Sequence, residues 1–335
     1  MKSRTLRMLA ILPALVLALS IAACDDDPSG PDQTDFEIVQ AAVQAWLATS
    51  PAAAIVPATV YDDLQLATPT KYILSVRAQS AYEIGHIPGA HRIDWRNVSQ
   101  TANMATLPTD QEIVVYCYTG HTGGLAAASL GILGFDTVNL KWGMMNWSDE
   151  DTVVVTAAWD VTQSLDAATE TTVHSLGTTV YELPDMSLTG ATDEAKVQAA
   201  VAAWLEDDTW SPTMSAQVVF DELNDGNSAD DPLIISVRSA THYALGHVPG
   251  AINIALADLA TTAVLEKLDP DRDIVVYCYT GHTGSQAAAL LNTLGYKTYN
   301  MKFGMMAWTT TAAVLTITPF SAAPGYATTA GTSPN

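Results

Sequence analysis

The sequence is short of positive charge and of cysteine. Its 335 residues include 14 Lys and Arg against 36 Asp and Glu, and the formal net charge is −22. Acidic surfaces repel phosphate backbones, so we expect no nucleic acid partner. The hydrophobic fraction is 48%, which is enough apolar material for the cores of about two domains of ordinary size.

Two common ligand-binding patterns are also missing from the sequence. His, Cys and acidic residues do not cluster at the spacing of metal ligands, and there is no glycine fingerprint of a phosphate-binding loop. We therefore expect neither a metal nor any other cofactor.

The N-terminal apolar run is short for a membrane-spanning helix. Residues 8–21 follow three basic residues and lead into Ile-Ala-Ala-Cys24, which resembles the lipobox of bacterial lipoproteins. An ordinary signal peptide or an uncleaved anchor helix is the alternative. We expect residues 1–23 to be a lipoprotein signal peptide and residues 24–34 a tether. Cys24 would then carry a lipid that anchors the protein to a membrane of the bacterial cell envelope, facing the periplasm or the exterior.

The chain contains an internal duplication. Residues 113–123 recur unchanged at 274–284, and shorter motifs recur at the same offset of 161 residues. We therefore expect two tandem domains with a connecting segment and a tail. The expected bounds are 35–148 for the first domain, 149–190 for a linker, 191–308 for the second domain and 309–335 for a partly disordered C-terminal extension.

Local patterns within the first unit alternate between helix and strand. Apolar residues at helical spacing predict a helix over 36–47, and buried strands are predicted over 72–76 and 112–116. A helix over 124–133 and a strand over 135–140 follow. This alternation is typical of a parallel α/β sheet flanked by helices.

Cys117 and Cys278 occupy equivalent positions in the two units. Exported proteins usually pair their cysteines, but equivalent sites in two domains are poorly placed for a disulfide. Each cysteine ends a buried strand and precedes a glycine-containing loop that enters a helix, a setting that favours a thiolate nucleophile. Gly120 and Gly123 would permit the turn of the loop. A buried structural cysteine is the alternative interpretation.

The order of these motifs resembles the rhodanese family. Ser-Val-Arg, Gly-His-(Ile/Val)-Pro-Gly-Ala, Tyr-Cys-x-x-Gly and Gly-Met-Met-x-Trp follow one another over about 60–147 and again over about 218–308. The resemblance implies two tandem α/β domains and a sulfurtransferase. Its cysteine would take sulfane sulfur as a persulfide from a small anionic donor, such as thiosulfate or polysulfide, and pass it to a thiol or cyanide.

The resemblance also implies which residues form the sites. Cys117 and Cys278 would be the sulfur carriers. A loop after each cysteine would bind the substrate; its residues are Tyr118, Thr119, Gly120, His121, Thr122 and Gly123 in the first unit and Tyr279, Thr280, Gly281, His282, Thr283 and Gly284 in the second. Phosphatase relatives use a longer loop ending in Arg, so phosphate chemistry is not expected.

Two departures from the family pattern concern charge. Many members have Arg where this chain has Thr122 and Thr283, and Asp where it has Ser before Val-Arg. His121 and His282 could substitute as imidazolium ions, accept a proton as imidazoles, or simply lie on the surface.

Other repeated cations have open roles. Arg77 and Arg238 could contact the anionic substrate or tie the sheet edge, and Lys141 and Lys302 could reach the pocket rim or lie exposed. A non-catalytic sulfide- or persulfide-binding or docking lipoprotein remains the alternative function. A thiol redox role is disfavoured because neither unit contains a resolving cysteine. The oligomeric state is left open.

Overall fold

The computed structural model of the protein describes residues 33–156 and 158–333. Cys24 and the expected signal peptide lie outside the described residues. Within the described ranges, no helix is both long enough and apolar enough to cross a membrane.

Each half of the chain forms one parallel sheet. The described strands are β1 (Lys71–Ser75), β2 (His91–Arg92), β3 (Glu112–Tyr116), β4 (Thr137–Asn139), β5 (Thr213–Met214), β6 (Leu233–Ser236), β7 (Ile252–Asn253), β8 (Ile274–Tyr277) and β9 (Thr298–Met301). The first sheet has the order β2-β1-β3-β4, and the second has the order β5-β9-β8-β6-β7. All pairings are parallel, which confirms the predicted fold class.

Helices cover these sheets. They are α1 (Asp35–Ala48), α2 (Pro57–Leu64), α3 (Gln79–Ile84), α4 (Thr101–Met104), α5 (His121–Ile132), α6 (Asp151–Val154), α7 (Asp193–Leu205), α8 (Ala216–Glu222), α9 (Ala240–Ala244), α10 (Thr262–Leu265), α11 (His282–Thr293) and α12 (Gly304–Trp308). Short 3-10 turns lie at Trp95–Asn97, Gly143–Asn146, Val161–Gln163 and Leu256–Asp258.

The central strands β3 and β8 explain where the cysteines lie. Their Ile-Val-Val-Tyr runs are fully buried, as expected for strands covered on both faces. Each is flanked on both sides by parallel partners. Because the strands of each sheet are parallel, the loops after β3 and β8 lie at the carboxyl ends of the strands. This is the end of the sheet where α/β proteins usually bind ligands.

The predicted elements of the first half agree with the structure in kind and differ at their ends. The helix over 36–47 is confirmed as α1, and the strands over 72–76 and 112–116 are confirmed as β1 and β3. Helix α5 begins at His121, three residues earlier than predicted, because Gly120 in a left-handed conformation turns the chain directly into it.

The two halves share one of the buried apolar clusters and hydrogen-bond across their boundary. One cluster of buried apolar residues includes Val115 and Leu130 from the first half together with Val276 and Leu290 from the second. Helix α5 packs against α11. Polar contacts accompany this packing, since Gln40 in α1 donates to the carbonyl of Ala260 at 2.9 Å. The halves therefore bury apolar surface against each other.

Two segments outside the helices and strands lie against the opposite half, and we call them the linker strap (165–174) and the C-terminal strap (324–333). The indole of Trp308 donates to Ala168 of the linker strap at 2.9 Å. In the first half, the indole of Trp147 donates to Ala327 of the C-terminal strap at 3.0 Å. The segment that follows each half thus lies on the other half. The C-terminal extension, expected to be partly disordered, is paired with backbone of the first half through Thr329 and His86.

Candidate active site

Each cysteine lies directly after the central strand of its sheet and is nearly inaccessible. The Sγ atom of Cys117 accepts a hydrogen bond from the N–H of Gly120 at 3.1 Å, and that of Cys278 accepts one from Gly281 at 3.1 Å. Both thiols are free and buried. A backbone N–H directed at sulfur stabilises negative charge on it, so the loop after each cysteine has the geometry of a thiolate-binding site. We call the loops 118–123 and 279–284 the cradles.

Glycine is needed in the cradle for two different reasons. Gly120 and Gly281 have φ of +87° and +85° and precede α5 and α11, a backbone conformation that favours glycine. Gly123 lies inside α5 and does not shape the turn, contrary to the expectation from the sequence. A Cβ atom there would lie 2.8 Å from Oδ1 of Asn139, and glycine therefore permits a close approach.

An asparagine on β4 and another on β9 hold the cradles in place through hydrogen bonds. Neither residue was predicted from the sequence. The side chain of Asn139 donates to the carbonyl of Gly120 at 2.8 Å, and that of Asn300 donates to Gly281 at 3.0 Å. Both side chains are buried. Their recurrence at the offset of the duplication is the signal that could have identified them.

The cradle histidines reach across to the other half of the molecule. The backbone N–H of Phe303 donates to Nε2 of His121 at 3.0 Å, and that of Trp142 donates to Nε2 of His282 at 2.9 Å. Because Nε2 accepts, the ring proton lies on Nδ1. Each cradle is thereby held by the loop that follows the last strand of the opposite half.

A threonine hydroxyl connects each histidine to its cradle. Nδ1 of His121 lies 2.9 Å from Oγ1 of Thr119, and Nδ1 of His282 lies 2.7 Å from Oγ1 of Thr280. With the histidine donating, the hydroxyl proton of Thr280 is free to point towards Sγ of Cys278, at 4.0 Å. This chain of donors ends at the sulfur.

Both histidines are neutral at neutral pH. Burial lowers the pKa of His121 to about 4; the carbonyl of Thr280 opposes this shift and the ammonium of Lys302 adds to it. Burial also lowers the pKa of His282 well below its usual value, with His121 and Lys141 adding to the effect. Both rings are buried, so the surface interpretation is wrong, and the imidazolium interpretation is not favoured.

The two arginines lie beside the cradles rather than in them. Arg77 is fully buried, donates to the carbonyl of Val153 at 2.9 Å and lies 5.7 Å from the ring centre of Tyr118. Arg238 donates to the carbonyl of Gly246 at 2.6 Å and lies 5.0 Å from the ring centre of Tyr279. Hydrogen bonds to backbone thus hold both guanidinium groups.

A cavity of about 520 Å³ opens onto Cys278 and is lined by two positively charged side chains. Arg238 lines it from the second half, and its Nη1 atom is buried without a hydrogen-bond partner in the described residues. Lys141 lines it from the first half. Neither Lys141 nor Lys302 is exposed. Because Lys141 belongs to the first half, the cavity at Cys278 receives a positive charge from the opposite half of the molecule.

Comparison with known protein families identifies the same domain type in both halves of the chain. The family model for the rhodanese-like domain matches residues 57–150 and 219–311. The chain is 30% identical over 80 residues to the sulfurtransferase of Allochromatium vinosum, covering 24% of this chain and 73% of that protein. It is 36% identical over 76 residues to the thiosulfate sulfurtransferase GlpE of Pseudomonas fluorescens, covering 22% of this chain and 68% of that one. A thiosulfate sulfurtransferase structure from Pseudomonas aeruginosa matches 80% of this chain and 46% of its own, with 14% identity and a TM-score of 0.31.

Proposed function

The chain belongs to the family of proteins built from rhodanese-like domains, and from that membership we propose that Cys117 and Cys278 each carry sulfane sulfur from a small anionic donor to a nucleophilic acceptor. A sulfurtransferase role is common to the relatives described above. The proposal adds the carriers, the donor class and the persulfide route.

The proposed reaction has two displacement steps. The thiolate of the cysteine attacks the outer sulfur of thiosulfate, an S–S bond forms on the cysteine, and sulfite leaves with the electron pair of the broken S–S bond. A thiolate or cyanide then attacks the outer sulfur of the persulfide and restores the cysteine thiolate. The negative charge lies on Sγ in the cysteine thiolate and on the outer sulfur in the persulfide, and the glycine N–H directed at Sγ stabilises the thiolate.

The single observation that carries this proposal is the identical cradle in both halves. Each Sγ atom accepts a glycine N–H at 3.1 Å, at the start of a helix whose dipole favours negative charge. The hydroxyl of Thr280 supplies a further donor near Cys278. Buried cysteines with a purely structural role would not need these donors at sulfur.

Sulfur loading of the cysteines tests the proposal directly. Purified protein treated with thiosulfate or polysulfide is expected to gain one sulfur atom on Cys117 and one on Cys278, and to lose both when cyanide is added. Peptide mass spectrometry before and after cyanide measures this. Cys117→Ser and Cys278→Ser variants assign each added sulfur. Failure to find a persulfide on either cysteine with either donor would exclude the proposal and favour a non-catalytic binding or docking role.

The cations around the cradles favour an anionic donor. Lys141 and Arg238 line the cavity at Cys278, and Lys302 lies close enough to His121 to lower the pKa of that ring. These lysines come from the opposite half in each case. We propose that they compensate for the Thr122 and Thr283 that stand where many family members have Arg.

Replacing each lysine in a variant that keeps only one reactive cysteine tests this pairing. In a Cys117→Ser background, where Cys278 alone reacts, Lys141→Met is expected to raise the KM for thiosulfate about tenfold because a charge-assisted contact is lost. Lys302→Met in the same background is the matched control and should leave KM unchanged. In a Cys278→Ser background the two roles should be reversed. Equal effects of both lysines in both backgrounds would contradict the pairing.

We also propose a location for this activity. The N-terminal sequence supports export and lipid attachment at Cys24, which would hold both sites at the surface of a membrane in the cell envelope.

A further inference from the structure

The linker strap brings three metal-ligating side chains together, away from both cysteines. Glu170 and His174 lie on the strap, and His247 lies in the Gly-His-Val-Pro-Gly turn of the second half. Nε2 of His174 is 2.8 Å from Oε1 of Glu170, and Nε2 of His247 is 3.8 Å from the same oxygen. One ligand atom from each residue lies within 4.8 Å of the others.

The surroundings of His247 point to a cation at this position. Its Nδ1 atom lies 2.9 Å from the carbonyl of Tyr243, so that nitrogen carries a proton and donates it. Its Nε2 atom faces the carbonyl of Thr172 at 2.9 Å and the carboxylate of Glu170. The ring is completely buried. Nε2 therefore either carries a second proton or directs its lone pair at a positive ion held between it and these oxygens.

The environment of Nδ1 is also the one found around metal-bound histidines. Ligating histidines usually donate their other ring N–H to a backbone carbonyl or a carboxylate, which fixes the ring and leaves a lone pair for the metal. The stacked ring of Tyr243, 3.7 Å away between centres, further restricts rotation of His247. Glu170 is oriented as well, because Gly250 donates its N–H to the carboxylate.

The other half provides an internal comparison for this cluster. His86 corresponds to His247, with its Nδ1 atom 2.9 Å from the carbonyl of Tyr82 and a stacked tyrosine ring. The C-terminal strap pairs with His86 through the same two backbone hydrogen bonds, but it carries Thr329 and Ser333 at the positions of Glu170 and His174. Strap docking therefore does not require a carboxylate and an imidazole at these positions.

We propose that Glu170, His174 and His247 bind one divalent zinc ion, which fastens the linker strap to the second half. Two imidazole nitrogens and one carboxylate form a ligand set that suits Zn²⁺, whereas Ca²⁺ and Mg²⁺ prefer all-oxygen sites. The carbonyl of Thr172 or a water molecule would complete four-coordination. Glu170 and His174 are only half-buried, so the ion can reach the site from solvent.

Metal binding by untagged full-length protein tests the site. Protein stripped with EDTA and titrated with Co²⁺ as a spectroscopic substitute for zinc is expected to bind one equivalent and to show visible absorption typical of tetrahedral cobalt. Zinc should displace the cobalt. Glu170→Gln and His174→Ala are expected to lose this equivalent. Ser333→Ala, at the position equivalent to His174 on the C-terminal strap, should retain it.

A variant designed to gain a second site keeps the test conclusive even if the loss variants misfold. Replacing Thr329→Glu and Ser333→His together places the same ligand types beside His86, and it should raise the bound cobalt from one equivalent to two. Elemental analysis gives the stoichiometry. If wild-type protein binds no cobalt, or binds the same amount as His174→Ala, the proposal is wrong and a proton on His247 satisfies the cluster.

Discussion

Acidification from neutral pH to about pH 4 is expected to lower the free energy of unfolding by about 3 kcal/mol through His121 alone. The pKa of His121 is about 4 in the folded protein, against about 6.5 in an unfolded chain. Between these values the unfolded chain binds more protons. Stability is therefore unaffected by this group above pH 6.5 and falls as the pH decreases through the window.

His282 adds to the same loss, because burial also lowers its pKa well below the usual value. Protonation of either ring would place a charge beside the other ring and near Lys141 and Lys302. It would also remove the acceptor used by the N–H of Phe303 or Trp142. The reciprocal contact between the halves is therefore expected to weaken in acid.

Urea unfolding as a function of pH measures this prediction. The double variant His121→Gln and His282→Gln keeps an acceptor in each position but cannot titrate, so its stability should fall less steeply between pH 6.5 and 4. Carboxylates contribute equally to both proteins and cancel in the comparison. An unchanged slope in the double variant would show that the histidines do not determine acid sensitivity.

Gly143→Ala is expected to destabilise the protein by about 2–5 kcal/mol and to prevent sulfur loading at Cys117. Gly143 has a φ of +55°, and a Cβ atom there would lie 2.5 Å from the carbonyl oxygen of Cys117. The left-handed backbone costs about 1–2 kcal/mol with a side chain present. The clash with the rigid cradle backbone costs about 1–3 kcal/mol more.

Gly89→Ala separates these two costs. Gly89 also has a positive φ, +76°, but a Cβ atom there meets nothing within 4 Å. The variant should lose about 1–2 kcal/mol and should keep both persulfides. Urea unfolding compares the stabilities, and peptide mass spectrometry compares loading at Cys117 and Cys278 in each variant. Equal losses for Gly143→Ala and Gly89→Ala would show that the clash is absorbed.

The cradles were predictable because their signals are local. A buried apolar run, a cysteine, a glycine and an Ala- and Leu-rich stretch follow one another within about 20 residues, and the duplication presents the pattern twice. The start of α5 was misplaced because a single left-handed glycine lets the helix begin inside the expected loop. Gly123 was assigned to the turn for the same reason.

The contacts between the halves were not predictable from one sequence. A duplication indicates two units but not how they pack. The sequence therefore could not show that Lys141 and Cys278 line one cavity, or that His121 accepts a hydrogen bond from Phe303. The ligand cluster was missed for a related reason. Glu170 and His174 are close in sequence to each other but far from His247, and the strap that joins them has no periodic pattern.

The reciprocal straps and histidine contacts have the symmetry of a homodimer interface, in which the same patch serves both partners. Within one chain, association no longer depends on dilution, because the connection between the halves sets a constant effective concentration. Fusion also releases a constraint. Two subunits made from one gene must carry the same residues, whereas here one strap holds Glu170 and His174 and the other holds Thr329 and Ser333. Covalent linkage thus allows the two halves to specialise without losing their shared interface.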